Sequence, residues 1–341
     1  MRGIPRTKGD IMKEKGVLAV ETEQTTVNTD NNNKKPFMSG KKKDLIFYIL
    51  MMAWPVLQFC VFYIGVNANS FLMAFQNLSI SGKVMGWTFD HMVEAFRELL
   101  GLDGTIIFAS AAKRSLQAYA VSLCIGTPLG LLFSYYIYKK LPFSGTFRVL
   151  LFMPSIISGI VMVAMFNFFV QDALPTIVNG LGGNMKLGLL SGRSPDNVKF
   201  ATILFFNTWV GFGGGVLMYS NAMSGISKEV VDSAHLDGAT GLREFFAITV
   251  PGIWPTLSTF LITGVAGIFS NQAGLFSFYG QDASPGIRTY GYEMYIRVYK
   301  YQNNMTEYPN ISAIGLYMTA VAVPLTYLVK WLLEKFGPSE D

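Results

Sequence analysis

Six stretches of the chain, residues 45–66, 115–138, 149–171, 200–224, 245–270 and 311–329, contain no Asp, Glu, Lys, Arg or His over their whole length. At about 1.5 Å of rise per helical residue, each can cross roughly 30 Å of hydrocarbon, the last being the shortest. Backbone N–H and C=O groups find no water inside a bilayer, so continuous apolar runs of this length are confined to helices. The pattern predicts an all-α membrane protein with six transmembrane helices. Composition agrees: 14% of residues are charged, against about a quarter in soluble domains.

Six crossings place both termini on one side, and the basic residues say which. With the amino terminus inside, the inner segments hold 17 of the 27 Lys and Arg, chiefly in the tail before Asp44 and at Lys139, Lys140 and Arg148. Inner loops carry the excess of positive charge, so both termini are expected in the cytoplasm. The net charge of +5 follows from this orientation and gives no ground for nucleic-acid binding. Residues 1–43 are polar and charged, too poor in apolar groups to offset chain entropy, and read as a disordered tail. The run at 45–66 is too long and too deep in the chain for a cleaved signal. The outer segments, residues 67–114, 172–199 and 271–310, exceed ordinary connections. They read either as a docking surface or as caps packed over the helix ends.

Proton- and ion-coupled carriers keep ionisable groups at membrane depth. Spans without any argue against ion coupling and for an uncharged substrate. Neutral polar groups are present instead: Asn167, Gln171, Asn207, Thr208, Tyr219, Asn221, Thr263, Ser270 and, just past the fifth run, Asn271 and Gln272. Beside Phe205, Trp209 and Phe269, these groups suit hydrogen bonding and stacking on a sugar; they equally suit gluing helices together. Gly126–Gly130 and Gly211–Gly215 place small residues four apart, the spacing of close helix contact, and the second also allows a local break in the fourth span. It fails as a dinucleotide fingerprint, because Val216 stands where glycine is needed and no strand precedes it. Pro128 and Pro154 suggest kinks.

Enzyme signatures are missing. No Gly-Lys-Ser or Gly-Lys-Thr occurs, so the chain has no phosphate-cradling P-loop. Two histidines, His91 and His235, read as surface groups, and two cysteines inside apolar runs, Cys60 and Cys124, offer little material for a metal site, a catalytic triad or a disulfide framework.

Between the fourth and fifth runs lies the segment Glu229-Val230-Val231-Asp232-Ser233-Ala234-His235-Leu236-Asp237-Gly238-Ala239. Ser227 suits an N-cap, Glu229 a first turn favoured by the helix dipole, and Asp237-Gly238 a left-handed stop. A short polar helix wedged between two spans faces water at the membrane surface.

This segment resembles the cytoplasmic loop of permease subunits of ATP-binding cassette importers. The family pattern is Glu-Ala-Ala, three residues, Gly, nine residues, then Ile-x-Leu-Pro. Here it reads Asp232-Ser233-Ala234, Gly238 and Ile248-Thr249-Val250-Pro251, with Asp for Glu, Ser for the first Ala and Val for Leu. The flanks, Trp209-Val210-Gly211-Phe212-Gly213 through Met218-Tyr219 and Phe147-Arg148-Val149-Leu150-Leu151-Phe152-Met153-Pro154, are similar to the maltose-type first permease subunit.

The resemblance implies a coupling helix at 227–240 within a permease core at 113–336. Residues 44–112 would form the first transmembrane helix and outer loop, and 337–341 a cytoplasmic tail. Glu229, Asp232, Ser233, Ala234, Asp237, Gly238, Ala239 and Pro251 would couple to an ATPase, while Asn207, Trp209, Tyr219, Asn271 and Gln272 would line a substrate pathway. The implied partners are a second homologous permease, two ATPase subunits holding ATP and Mg, an extracellular binding protein and membrane lipid. The resemblance further implies no cofactor or metal on this chain, no enzymatic activity of its own, and a location in the plasma membrane. A sugar or oligosaccharide is the expected substrate. A permease for a glycerol phosphodiester or polyamine, or a membrane scaffold without transport, are the alternatives.

Overall fold

The computed structural model describes residues 40–102, 104 and 106–338. Most of the expected amino-terminal tail, and the last three residues of the carboxyl-terminal one, lie outside them. By internal contacts the chain divides into two units, Met1–Gly65 and Val66–Asp341. The first contributes the helix Gly40–Gln58, running on as a π-helical stretch, Phe59–Gly65, with its described side chains exposed.

Among the described residues, five helices are long and apolar enough to cross a membrane: Asp44–Met73, Ile107–Tyr138, Gly159–Gly180, Asp196–Ser224 and Met305–Phe336. A sixth crossing is available if the pair Leu242–Gly252 and Trp254–Ala266, bent by 72°, forms one span. Pro251 and Pro255 flank that bend, and neither can donate a backbone hydrogen bond across it. The last span runs well past its predicted end, since the helix Tyr308–Phe336 continues through Lys330 and Lys335.

The third run is displaced from its expected bounds. Residues 149–171 are not one helix: Ser144–Ile156 ends, Ile157 and Ser158 are extended (ψ 142° and 129°), and a new helix starts at Gly159. Pro154 leaves the last turn one donor short, and Ser158 restarts the ladder by accepting from Met162 N at 2.9 Å. The span is therefore Gly159–Gly180, and Ser144–Ile156 is a separate helix laid against the fourth.

The fourth span, Asp196–Ser224, is the axis of the second unit. Its glycine run does not break it: 29 residues are continuously helical. Instead Gly213 serves close packing, since a Cβ there would lie 2.7 Å from Leu151 O and 3.0 Å from Phe152 Cα. Ser134 Oγ donates to Gly130 O at 2.6 Å and Val216 O at 3.1 Å, tying the second span to the same helix. Within lipid, neighbouring helices gain no hydrophobic term from contact, so such close approaches and hydrogen bonds hold the bundle.

The long connections are folded and packed over the helix ends. Residues 76–87 form an antiparallel hairpin, Gln76–Leu78 against Val84–Trp87, followed by the helix Asp90–Leu100. The helix Tyr290–Lys300 carries Arg297, whose guanidinium bridges Glu98 and Glu293 and lies 4.5 Å above the Phe108 ring. Burial alone would lower the Arg297 pKa, but the two carboxylates hold it above its ordinary value. Arg114 lies inside the helix of the second span and ties it to Gly286 O and Asn197 Oδ1.

Candidate functional site: an uncharged cavity and an Asp-Gly loop

Two adjoining cavities open inside the second unit. The first, ≈ 340 Å³, lies between the second and fourth spans and presents Ser122, Thr127, Asn207, Thr208, Tyr219 and Asn271. The second, ≈ 430 Å³, shares Ser122, Thr127 and Asn271 with it and adds Ser115, Tyr119 and Thr263. Among the described residues, no charged side chain lines either one. Hydroxyls, amides and aromatic rings around an uncharged space can hydrogen-bond and stack on a neutral polyol, and a free ion would find no counter-charge.

A tight turn closes one end of the first cavity. Asn271 Oδ1 accepts from Ala273 N at 2.8 Å, and Asn207 Nδ2 donates to Ala273 O at 2.9 Å. Ala273 and Gly274 both have positive φ, 50° and 68°. A left-handed alanine is strained, and here the two amides hold it. Tyr219 is buried, edge-on to Phe260 at 5.3 Å. Two residues expected on the pathway sit elsewhere. Trp209 is two positions from Asn207, so it points away from the cavity into an aromatic group with Phe166 and Phe206, each 6.4 Å distant; Gln272 is half-buried outside both linings.

At the other end of the fourth span the chain turns into the helix Lys228–Leu236. Ser227 takes the cap position with extended backbone, but its side chain makes no capping bond, contrary to the sequence expectation. The stop is the expected one. Gly238 N donates to His235 O at 3.0 Å and Ala239 N to Ala234 O at 2.8 Å, with Gly238 at φ +77°. These paired bonds form a Schellman motif, which needs a left-handed residue at Gly238. Ala234 and Ala239 are buried, while Glu229, Asp232, Ser233 and Asp237 are exposed and Pro251 is half-buried in the short helix Val250–Gly252. Ser233 Oγ donates back to Glu229 O. Leu236 is 90% exposed, and Val230, Leu242 and Phe246 also stand open. Apolar side chains this exposed beside acids mark a surface for a partner.

Sequence reasoning missed the group that anchors this loop. Glu244 is 1% exposed, with Lys139 Nζ 2.5 Å from Oε1 and His235 Nε2 3.0 Å from Oε2. Tyr135 donates its hydroxyl to Gly241 O at 3.1 Å, and its ring meets Phe245 edge-on at 5.0 Å. A lone acid opening an apolar run, with Lys139 closing another, was the signal available. His235 is thus no idle surface group, and the ring nitrogens of His91 are buried without a partner among the described residues.

The family model of binding-protein-dependent transport system inner membrane components matches residues 126–339. A probable ABC transporter permease protein of Mycoplasma genitalium, MG188, is 26% identical over 280 residues, covering 80% of this chain and 80% of that protein. The arabinooligosaccharides transport system permease protein AraP of Bacillus subtilis is 22% identical over 220 residues, 63% of this chain and 66% of its own length. A solved structure of a bacterial ABC transporter involved in the import of the acidic polysaccharide alginate shares the fold. The TM-score is 0.69 at 20% identity, over 86% of this chain and 97% of that one. With the family model matched over more than half of its length, the chain belongs to the inner membrane components of binding-protein-dependent transport systems.

Proposed function

We propose that this permease passes a neutral sugar or oligosaccharide across the plasma membrane, with both termini in the cytoplasm. The observation that carries the reading is the pair of adjoining cavities in which, among the described residues, every polar lining side chain is a hydroxyl or an amide. Asn207, Tyr219 and Asn271 would contact the solute, and Trp209 and Gln272 would support the wall from behind. AraP, whose name specifies arabinooligosaccharides, supports the substrate class.

The second element is the loop 228–239, whose exposed Val230 and Leu236, with Leu242 just beyond it, and acidic Glu229, Asp232 and Asp237 would seat in an ATPase subunit. ATP and Mg belong to that partner, of which two copies are expected, together with a second permease and an extracellular binding protein. ATP binding shifts the pair of permeases between inward- and outward-open forms only through its differential affinity for the two. Gly238 and Pro251 would keep the loop's shape while it is pushed.

Purification of the complex with its binding protein, a ligand screen on that protein, and uptake in vesicles test the reading. Saccharide-dependent ATP hydrolysis and uptake are expected. Binding of a charged solute and no saccharide would overturn the sugar assignment. A complex with no nucleotide-hydrolysing subunit would overturn the transport role.

A further inference from the structure

The helix Asp90–Leu100 lies outside every span, yet its side chains fall into three sectors. Met92, Ala95 and Leu99 pack into a cluster with Phe108 and Ile314. Asp90, Glu94 and Arg97 are exposed along another side, beside the Glu98 carboxylate bound to Arg297. Between these sectors Val93, Phe96 and Leu100, spaced i, i+3 and i+7 and so on one face, stand 50%, 47% and 58% exposed. A helix in water would place charge there.

The open surface continues at both ends of the helix, through Trp87 and Phe89 before it and Leu102 and Ile106 after it, all more than half exposed. Phe89 meets Phe75 at 5.4 Å, and Phe75 meets Phe71 at 5.5 Å. Phe71 stands 53% exposed on the last turns of the span Asp44–Met73.

Depth is fixed by the last span. Tyr317 donates its hydroxyl to Met92 O at 3.2 Å, and its ring lies 5.6 Å from that of Phe96. Tyr317 stands six residues inside the apolar run 311–329, about 9 Å from its end at 1.5 Å per residue. Helices that lie in a membrane surface bury their apolar face about 5–10 Å into the headgroup and acyl boundary. That depth would set the helix level with the outermost acyl layer, its charged side turned away from the core cluster.

We propose that Asp90–Leu100 is an interfacial helix whose Val93, Phe96 and Leu100 face is covered by lipid acyl chains, with Glu94 and Arg97 among the headgroups. It depends on the spans crossing a bilayer and not on the identity of the solute. It withdraws this part of the outer segments from contact with a delivery protein.

The test uses the assembled complex in phosphatidylcholine and phosphatidylglycerol vesicles, with Cys60 and Cys124 replaced by Ser. Nitroxide labels at Val93→Cys, Phe96→Cys or Leu100→Cys are compared with Glu94→Cys by collision with oxygen, which concentrates in lipid, and with a neutral nickel chelate, which stays in water. The oxygen-to-nickel ratio is expected several-fold higher at Val93, Phe96 and Leu100 than at Glu94. Equal ratios at all four would put the face in water, and exclusion of both reagents from it would put a protein there; either result overturns the proposal. Quenching by acyl-brominated lipid gives a reading without cysteines: part of the quenched tryptophan emission is expected to vanish in Trp87→Phe, and an unchanged quenched fraction would also overturn it.

Discussion

Glu244→Ala removes a carboxylate that joins the Asp-Gly loop to the second span. The side chain is 1% exposed and contacts Lys139 at 2.5 Å and His235 at 3.0 Å. Removing one partner of a buried pair costs about 3–5 kcal/mol. The Lys139 side chain keeps 24% of its surface in contact with solvent and can turn its ammonium outward along its stem, so about 2–3 kcal/mol is expected here. At about 1.4 kcal/mol per decade, the loop then opens roughly 30- to 150-fold more often. The assay is amide hydrogen exchange on the purified complex, read at Gly238 and Ala239, whose N–H groups close the helix. Their exchange should quicken by that factor while amides in the middle of the fourth span keep their wild-type rates. In parallel, ATP hydrolysis should persist while uptake per ATP falls. Replacing both partners, Lys139→Met with Glu244→Leu, should recover much of the protection, because no buried charge is left alone. Unaltered exchange at Gly238 and Ala239 in Glu244→Ala would refute the anchoring role.

Gly238→Val should uncouple hydrolysis from uptake with normal membrane insertion: a Cβ there meets nothing within 4 Å, so the penalty is that of the left-handed backbone, about 1–2 kcal/mol, and Gly238→Asn should be tolerated better in the same uptake assay. Gly213→Val should lower the thermal stability of the solubilised protein by about 1–3 kcal/mol, whereas Gly211→Ala, which opens onto free space, should leave it unchanged. Arg297→Met should destabilise by about 3 kcal/mol in thermal unfolding by leaving Glu98 without its cation, and adding Glu98→Gln should restore part of the loss. Asn207→Ala and Asn271→Ala should reduce uptake without disturbing assembly, while Trp209→Ala should lower stability by about 2 kcal/mol and leave solute affinity unchanged in binding titrations.

The spans were legible because lipid demands long uncharged runs, and four of them reappear as helices near their expected places. The break at Ile157 and Ser158 was hidden, since a chain leaving a helix between packed neighbours need not change composition; only Pro154 hinted at it. The Asp-Gly loop was legible down to its left-handed glycine, because that stop is written in local sequence. Its anchor was not, because Lys139 and Glu244 are 105 positions apart and meet only through tertiary packing. For the cavity, polarity was readable but direction was not. Asn207 and Trp209 are neighbours in sequence and face opposite ways on one helix, a distinction that depends on where the second span docks.

The 72° angle at Ile253 sets how a push is redirected. Leu242–Gly252 carries Glu244 and hence the loop, whereas Trp254–Ala266 borders the larger of the two solute-sized spaces. When two rods meet near a right angle, thrust along one reaches the other mostly as a sideways swing. Pressure on the loop would therefore tilt the far rod across its own length instead of sliding it, widening or narrowing the space beside it like a bell-crank.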